Sequence, residues 1–363
     1  MLIVGGGPAG LAAAIAARAK GLRITLVDSR TPPIDKACGE GLLPEAVAVL
    51  GNLGINLDSA SPTSFAGIRF SDERSSATAR FPRGTAFGMR RTALHKLLVD
   101  RATAAGVSLV WGARVSAFDG AGARVNGEWI RCYWLIGADG QQSSVRRFAK
   151  LGRALRGPAR FGFRRHYAVA PWSDLVEVHW GKRCQMVITP TGGEEICVSL
   201  FASDLHLRID GALQEFPAVA ERLRGAQPAS TQAGAITSLG RARGVTRGTI
   251  SLVGDASGTV DGIAGQGLSL AFQQAQALGE ALGCGDLSHY ESAHRRIMQN
   301  AARMTRLLLL MSASAAIRRK AMRLFAAHPA VFSNLISVHA GQAAPDALGA
   351  AEILDLGWRV LCA

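Results

Sequence analysis

The sequence predicts an α/β protein: a Rossmann-like dinucleotide-binding domain interleaved with a mostly antiparallel β-sheet domain, then a helical C-terminal tail. Three observations carry that expectation. The chain opens on a short apolar strand that runs through Gly5-Gly-Gly7-Pro8-Ala9-Gly10 into a helix. Two later apolar strands end in glycine-rich turns of their own, Gly137-Ala-Asp139-Gly140 and Gly254-Asp255-Ala-Ser-Gly258. Between these turns, residues from about 160 to 240 alternate like strands, and the pattern from Asp286 onward is mostly helical.

Residues 1–30 read as β-α-β. Gly5 permits the tight turn, Gly7 lets backbone approach a pyrophosphate, and Gly10 lets the helix pack on the strand. A helix over 9–20, with Pro8 and Ala9 at its start, aims its amino end at the phosphates. The strand over 23–28 ends in Asp28, 18 residues beyond Gly10, where an acid accepts hydrogen bonds from a ribose. Ser29 and Arg30 follow it directly and join the expected cofactor contacts. A loop leads to Gly41, and a helix over 44–53 stops at Gly54. Strand-like stretches surround 65–70 and 78–81. Leu94, Leu97, Leu98 and Ala102 place a helix over 91–105, ended by Gly106.

Short strands follow over 107–110, 114–118 and 123–125, then a buried-type strand over 133–136. The inserted region carries strands near 161–170, 175–179, 185–189 and 195–201 and a helix over 213–224. A strand over 249–253 and a helix over 268–282 complete the first domain. The dinucleotide domain is thus expected over 1–65, 83–158 and 241–285, the sheet domain over 66–82 and 159–240, and the helical region over 286–363.

At 363 residues and 48% apolar, the chain suits two domains with real cores. Its pattern begins at residue 1, so no signal or transit peptide is expected; the shortness of the first strand points to a native start slightly upstream. Cys38, Cys132, Cys184, Cys197, Cys284 and Cys362 form no C-x-x-C pair, which suits a reducing cytoplasm and argues against disulfides or zinc. The net charge of +14 reads as solubility, as attraction of an anionic cofactor or substrate, or as attraction to a membrane surface. Nucleic acid is the weakest partner, because aromatics are 6% and no nucleic-acid motif is present. No metal-ligand cluster and no Gly-x-Ser-x-Gly elbow stands out.

The three glycine motifs, in this order and at these separations, resemble the single-component FAD monooxygenases of the p-hydroxybenzoate hydroxylase fold. Geranylgeranyl reductases and flavin halogenases are cousins, and the resemblance spans residues 1 to about 285. It implies FAD, with NADPH or NADH as electron donor. It also implies that Asp255 meets a ribityl hydroxyl and that Gly262, Gly265, Gln266 and Gly267 carry backbone under the flavin ring. Asp139 and Gly140 match a mixed structural and cofactor position, which Arg146 holds in place or ligates through. Arg91 matches an arginine at the FAD phosphate or ribityl chain, with Arg90 as the alternative.

The loop Asp35-Lys36-Ala-Cys38-Gly39-Glu40-Gly41 is similar to the Lys-x-Cys-Gly-x-Gly loop of geranylgeranyl reductase-like proteins, which passes beside the isoalloxazine ring. Gly39 and Gly41 then let backbone approach the flavin, and Lys36 attracts phosphate or a substrate anion. Cys38 either lines the active site, as a weak donor or an acid, or is a small packed residue. Glu40 is either a proton donor or a cap for the next helix. In this fold the inserted sheet forms the substrate ceiling, which makes His166, His179 and Thr189 candidate pocket residues. Alternation puts Glu177 and His179 on one face and Val178 and Trp180 on the other.

Two chemistries follow from the resemblance. A monooxygenase forms a flavin C4a-hydroperoxide and hydroxylates or epoxidises a hydrophobic aromatic, polyketide-like or isoprenoid molecule. A geranylgeranyl-type reductase delivers hydride to an alkene; a flavin-binding redox sensor without turnover is a further reading. The cysteine loop favours the reductase. Gly262, standing where that family and most monooxygenases carry proline, and the lack of a Trp/Phe-rich motif over 185–192 depart from the reductase. The Arg-rich helices ending in His-Pro-Ala-Val-Phe-Ser look more like the monooxygenase tail. The missing Trp-x-Trp-x-Ile-Pro segment argues against a halogenase. Arg295, Arg296, Arg303, Arg306, Arg318, Arg319, Lys320 and Arg323 flank an apolar run too short to span a bilayer. These tail helices either lie on a membrane surface or pack on the flavin domain with their arginines in water.

Overall fold

The computed structural model describes residues 1–343; Cys362 and the last part of the expected helical tail lie outside them. A six-stranded sheet runs in the order Thr246–Arg247, Ile250–Leu252, Leu135–Gly137, Leu2–Val4, Thr25–Asp28, Ser108–Trp111. The first strand therefore sits inside the sheet, parallel to both neighbours, with Leu2 opposite Leu135 on one side and Thr25 on the other. Leu2, Ile3, Leu26, Ile136 and Leu252 are fully buried, as parallel strands covered on both faces require. Helix Pro8–Arg18 covers one face, and Pro8 in its first turn lacks only an amide that would have had no helical partner. Its alanines let helix Gly267–Cys284 come very close: a Cβ on Gly279 would lie 2.7 Å from the Ala16 Cβ.

The second sheet runs in the order Gly258–Thr259, Ala233–Ala242, Arg153–Ala168, Glu195–Ala202, Cys184–Gly192, Val176–Trp180, Gly67–Ser71, Ser76–Arg80. Its pairings are antiparallel except that of Val176–Trp180 with Gly67–Ser71. The predicted fold class is therefore the observed one. Strand Arg153–Ala168 enters this sheet ahead of residue 159, and Gly258–Thr259 joins it from within the dinucleotide segment. The turn leaving the parallel sheet after Leu252 thus crosses straight onto the second sheet.

Two local expectations are corrected. The stretch 65–70 is split at Ala66: Thr63–Phe65 pairs with Ala86–Gly88, while Gly67–Ser71 joins the large sheet. Gly67 makes this crossing possible, because a Cβ there would lie 2.1 Å from the Ala79 carbonyl oxygen. The helix expected over 213–224 is a 3₁₀ turn, Leu213–Glu215, followed by Pro217–Arg222. Pro217 pushes Phe216 out of the helical region, to φ −131° and ψ 66°.

Three helices, Leu287–Ala313, Ala315–Ala327 and Pro329–His339, form the described part of the tail. Ser314 separates the first two and caps the second through the Ile317 amide. Their inner face (Met304, Leu308, Met322, Phe325, Phe332) packs on Ile68, Phe70, Val178 and Trp180 of the large sheet. The Phe70 ring lies 5.0 Å from that of Phe332 and 5.7 Å from that of Trp180. Among the described residues no helix is long and apolar enough to cross a membrane.

Candidate active site

A cavity of about 910 Å³ lies at the carboxyl ends of the parallel strands, where an open α/β sheet binds its ligand, and continues beneath the second sheet. Gly5, Gly7, Pro8, Ala9, Asp28, Ser29 and Arg30 form one end of it. Gly5 takes φ 113°, and a Cβ there would meet the Ala138 carbonyl oxygen at 2.3 Å. Gly10 does not face the cavity; its hydrogen stands against Gly5, and a Cβ would lie 1.9 Å from the Gly5 carbonyl oxygen. Gly7 differs, since its missing side chain leaves open space with only Arg91 Nη2 nearby, at 3.9 Å. The Asp28 carboxylate accepts from the Gly6 amide at 2.7 Å and the Arg30 amide at 2.8 Å, and fixes the glycine loop. His95, which sequence reasoning missed, holds the loop from below through the Gly6 carbonyl at 2.9 Å. Burial lowers the His95 imidazole below its ordinary range.

The middle of the cavity is polar. Arg91 reaches it with a buried Nε that has no hydrogen-bond partner among the described residues. Arg90 turns away and grips Glu195 and the Ala229 carbonyl, so of the two arginines only Arg91 is at the site. Asp139 caps helix Ser144–Phe148 with one oxygen, while Oδ1 is buried and has no hydrogen-bond partner among the described residues. Arg146 donates to the Ala256 and Gln141 carbonyls, tying the second glycine motif to the third. Lys36 and Asp255 meet across the cavity at 2.8 Å. Gly140 also lines this part, and a Cβ on it would meet nothing within 4 Å.

At the far end, Gly262, Gly265 and Gly267 form a turn beneath apolar walls from Phe70, Val178, Val187, Met304 and Leu308. Gly265 has φ 63° and open space beside it, the cradle that a flat ring passing over backbone requires. The Gly262 amide donates to Thr237 Oγ1 at 2.5 Å, a bond that proline could not make, and a Cβ there would lie 2.7 Å from the Phe201 ring, which accounts for glycine at this position. The orphaned Arg91 Nε and Asp139 Oδ1, the open space at Gly7 and the cradle at Gly265 together fit FAD, phosphates at the first end and ring at the last.

The cysteine loop forms one wall. Lys36, Cys38, Gly39, Glu40 and Gly41 all line the cavity. Burial pushes the thiol of the half-buried Cys38 up, and its sulfur accepts from the Glu40 amide at 3.4 Å. Glu40 is the unusual residue: 2% exposed, at φ 62°, and ringed by donors. Its carboxylate accepts from the Arg91 amide at 3.1 Å, meets His166 Nε2 at 2.5 Å and lies 3.8 Å from Arg164 Nε. His166 Nδ1 faces two donors, Ser230 Oγ at 2.9 Å and Arg164 Nη1 at 3.3 Å, which places the ring proton on Nε2 toward Glu40. Arg164 in turn grips the half-exposed Asp35 at 2.6 and 2.8 Å. Glu40 does not cap the next helix, Pro44–Asn52, whose start takes no side-chain hydrogen bond; it accepts instead from the Arg91 amide at the start of helix Arg91–Ala104.

Three pocket expectations are corrected. His166 does not face the cavity; the Glu40 side chain stands between them. His179 points with Glu177, as alternation requires, to a contact of 3.1 Å on the face away from the cavity. Gln266 is buried and turns away from the cavity to donate to the His339 carbonyl at 2.7 Å, so its neighbours Gly265 and Gly267 line the site and it does not. Thr189 does line it.

His339 itself backs this turn. Burial lowers its imidazole to about 4, against the partial support of the Ala264 backbone, so the folded state holds the ring neutral. The unfolded state, with an ordinary value near 6.5, binds the proton first as pH falls. Stability is therefore fully present at neutral pH and lost on acidification, by about 2 kcal/mol at pH 5. Thermal melts should show that loss, and His339→Gln should flatten the profile; an unchanged slope in the variant rules out His339 as its source.

Comparison with known proteins agrees with this geometry. The family model described as FAD binding domain matches residues 1–287. A menaquinone reductase of Mycobacterium tuberculosis is 28% identical over 318 residues, covering 79% of this chain and 77% of that protein. A 3-(3-hydroxy-phenyl)propionate/3-hydroxycinnamic acid hydroxylase of a Mycobacterium species is 31% identical over 163 residues, 40% of this chain and 28% of that one. A flavoprotein/dehydrogenase from Cytophaga hutchinsonii superposes with a TM-score of 0.81 at 18% identity, covering 94% of this chain and 92% of its own, a likeness of fold. With a matched family model over most of its length and a cavity whose open polar atoms and glycine cradles suit the cofactor, the chain belongs to the FAD binding domain family of FAD-dependent oxidoreductases.

Proposed function

We propose that the protein is an NAD(P)H-using FAD-dependent monooxygenase that hydroxylates or epoxidises a hydrophobic aromatic, polyketide-like or isoprenoid molecule. The observation that carries this reading is Glu40, a carboxylate on the wall of an apolar pocket and held by the Arg91 amide, His166 and Arg164. When bound, FAD supplies the activation of dioxygen. The protein's own part is to orient substrate against Phe70, Val178, Val187 and Met304, to exclude water, and to move a proton. An electron-rich phenolic substrate becomes more reactive as its hydroxyl proton leaves. The Glu40 carboxylate on the pocket wall is the acceptor, and His166, fixed by Ser230, holds it in place through Nε2.

A second reading has its own support. The menaquinone reductase match spans 79% of this chain whereas the hydroxylase match spans 40%, which favours the reductase alternative. In that case the same Glu40–His166 pair would deliver a proton rather than remove one. One experiment separates the two: turnover with NADH or NADPH under ¹⁸O₂, offering long-chain alkylphenols and prenylated quinones. Product carrying one labelled oxygen supports the monooxygenase. Product gaining two hydrogens and no label overturns it in favour of the reductase.

A further inference from the structure

We infer that the outer face of the tail helices Leu287–Ala313 and Ala315–Ala327 is a docking surface for an anionic lipid bilayer. From residue 292 to residue 343 the sequence contains no aspartate or glutamate. Arg295, Arg296, Arg303, Arg306, Arg319 and Arg323 are all exposed there, and none of the six has an ion-pair partner among the described residues. The positions 295, 299, 303, 306, 310 and 313 recur at helical spacing and are exposed, so the cations share one face of the first helix. Leu310 lies within that stripe at 54% exposure, with Ala313, Ala315 and Ala316 exposed beside it. A cationic face with a bare aliphatic centre matches a bilayer, whose headgroups take the arginines and whose interior takes the leucine. Nucleic acid fits less well, because this face carries no aromatic ring on which a base could stack; Phe325 and Phe332 are buried on the other side.

The same turns face two ways. Arg303 and Arg306 point outward, while Met304 and Leu308 line the cavity. The docked face would therefore set the cavity wall against the membrane, placing a lipid-like substrate one helix thickness from the site. That delivery route rests on the proposed function; the docking surface rests on charge and exposure alone.

The test is co-sedimentation of the FAD-loaded full chain with vesicles of phosphatidylcholine and with vesicles of equal parts phosphatidylcholine and phosphatidylglycerol. Binding only to the anionic vesicles, and weakening with added salt, is expected. Each arginine near such a surface strengthens partitioning about fivefold. Replacing Arg303, Arg306, Arg319 and Arg323 together by serine should then weaken it by on the order of a hundredfold or more, with bound flavin retained. Leu310→Ser alone should weaken it less and without changing its salt dependence. Equal binding to both vesicle types, salt-independent binding of the unaltered protein, or tighter binding to polyuridylate RNA than to anionic vesicles would overturn the inference. Because binding is read without turnover, failure of the proposed reaction leaves this result standing, and the reverse.

Discussion

Glu40→Gln should lower kcat by about a hundredfold or more while leaving the dissociation constant for FAD within a few-fold of the unaltered protein's. The amide keeps the size of the carboxylate but must turn one NH₂ toward a ring of donors: the Arg91 amide, Arg164 Nε and His166 Nε2. Proton transfer at the pocket wall is thereby lost. Glu40 also sits at φ 62°, where a non-glycine residue costs roughly 1–3 kcal/mol of backbone strain. Gly39 and Gly41 on either side give the chain its freedom to make that turn. Glu40→Gly is therefore the informative companion, since it relieves the strain, keeps the backbone path and removes the carboxylate. Stopped-flow flavin spectra and steady-state turnover would be measured on both. If both variants bind FAD and turn over within a few-fold of the parent, Glu40 is a structural cap and the proton path must be sought elsewhere.

The second large effect is expected at the opening glycines, and it should divide by position. Gly10→Ala puts a methyl 1.9 Å from the Gly5 carbonyl oxygen and 3.1 Å from the Ala138 Cβ. Neither neighbour is a flexible side-chain end, so helix Pro8–Arg18 must move off the central strand. Loss of several kcal/mol of stability is expected, within the range of overpacked cores, together with colourless protein. Gly7→Ala meets nothing but Arg91 Nη2 at 3.9 Å. The apoprotein should melt as before, but FAD affinity should fall by tenfold or more, because the methyl occupies the space the pyrophosphate needs. Melting of the apoproteins and flavin titration read the two effects separately. Equal behaviour of the two variants would show that the loop does not face the cofactor as described.

The dinucleotide half of the site was legible because its determinants are local. A strand, a glycine turn, a helix and an acid lie within the first 28 residues, and only a few backbone geometries satisfy that sequence. The glycines of the third motif were legible for the same reason. Gln266 was misplaced because spacing alone does not say which way a residue beside a left-handed glycine turns. The Glu40–His166 and Asp35–Arg164 contacts were not legible. Asp35 and Arg164 are 129 positions apart and Glu40 and His166 are 126, so their contact depends on how the inserted sheet folds over the loop. Alternation did carry a partial signal, since Arg164 and His166 fall on one face of their strand. What alternation cannot supply is the partner on the other side, and a buried carboxylate with donors all round it is a property of the assembled pair of sheets. The basic tail was legible as composition; its division into an outward cationic stripe and an inward cavity wall needed the helices to be placed.

The position of strand Leu2–Val4 inside the parallel sheet has a consequence for how the chain is made. Its partner on one side, Thr25–Asp28, is synthesised almost at once, but Leu135–Gly137 comes more than a hundred residues later and Ile250–Leu252 later still. At roughly 5–20 residues per second, the ribosome leaves this apolar sheet incomplete for about 10–50 s. During that interval the nascent chain presents an open edge, and the second sheet that would shield the cavity is itself only partly emerged. The molecule thus gains a cofactor site drawn from distant segments at the expense of a long vulnerable interval in translation, and slower growth temperatures or added chaperones should raise its yield more than any change to its surface.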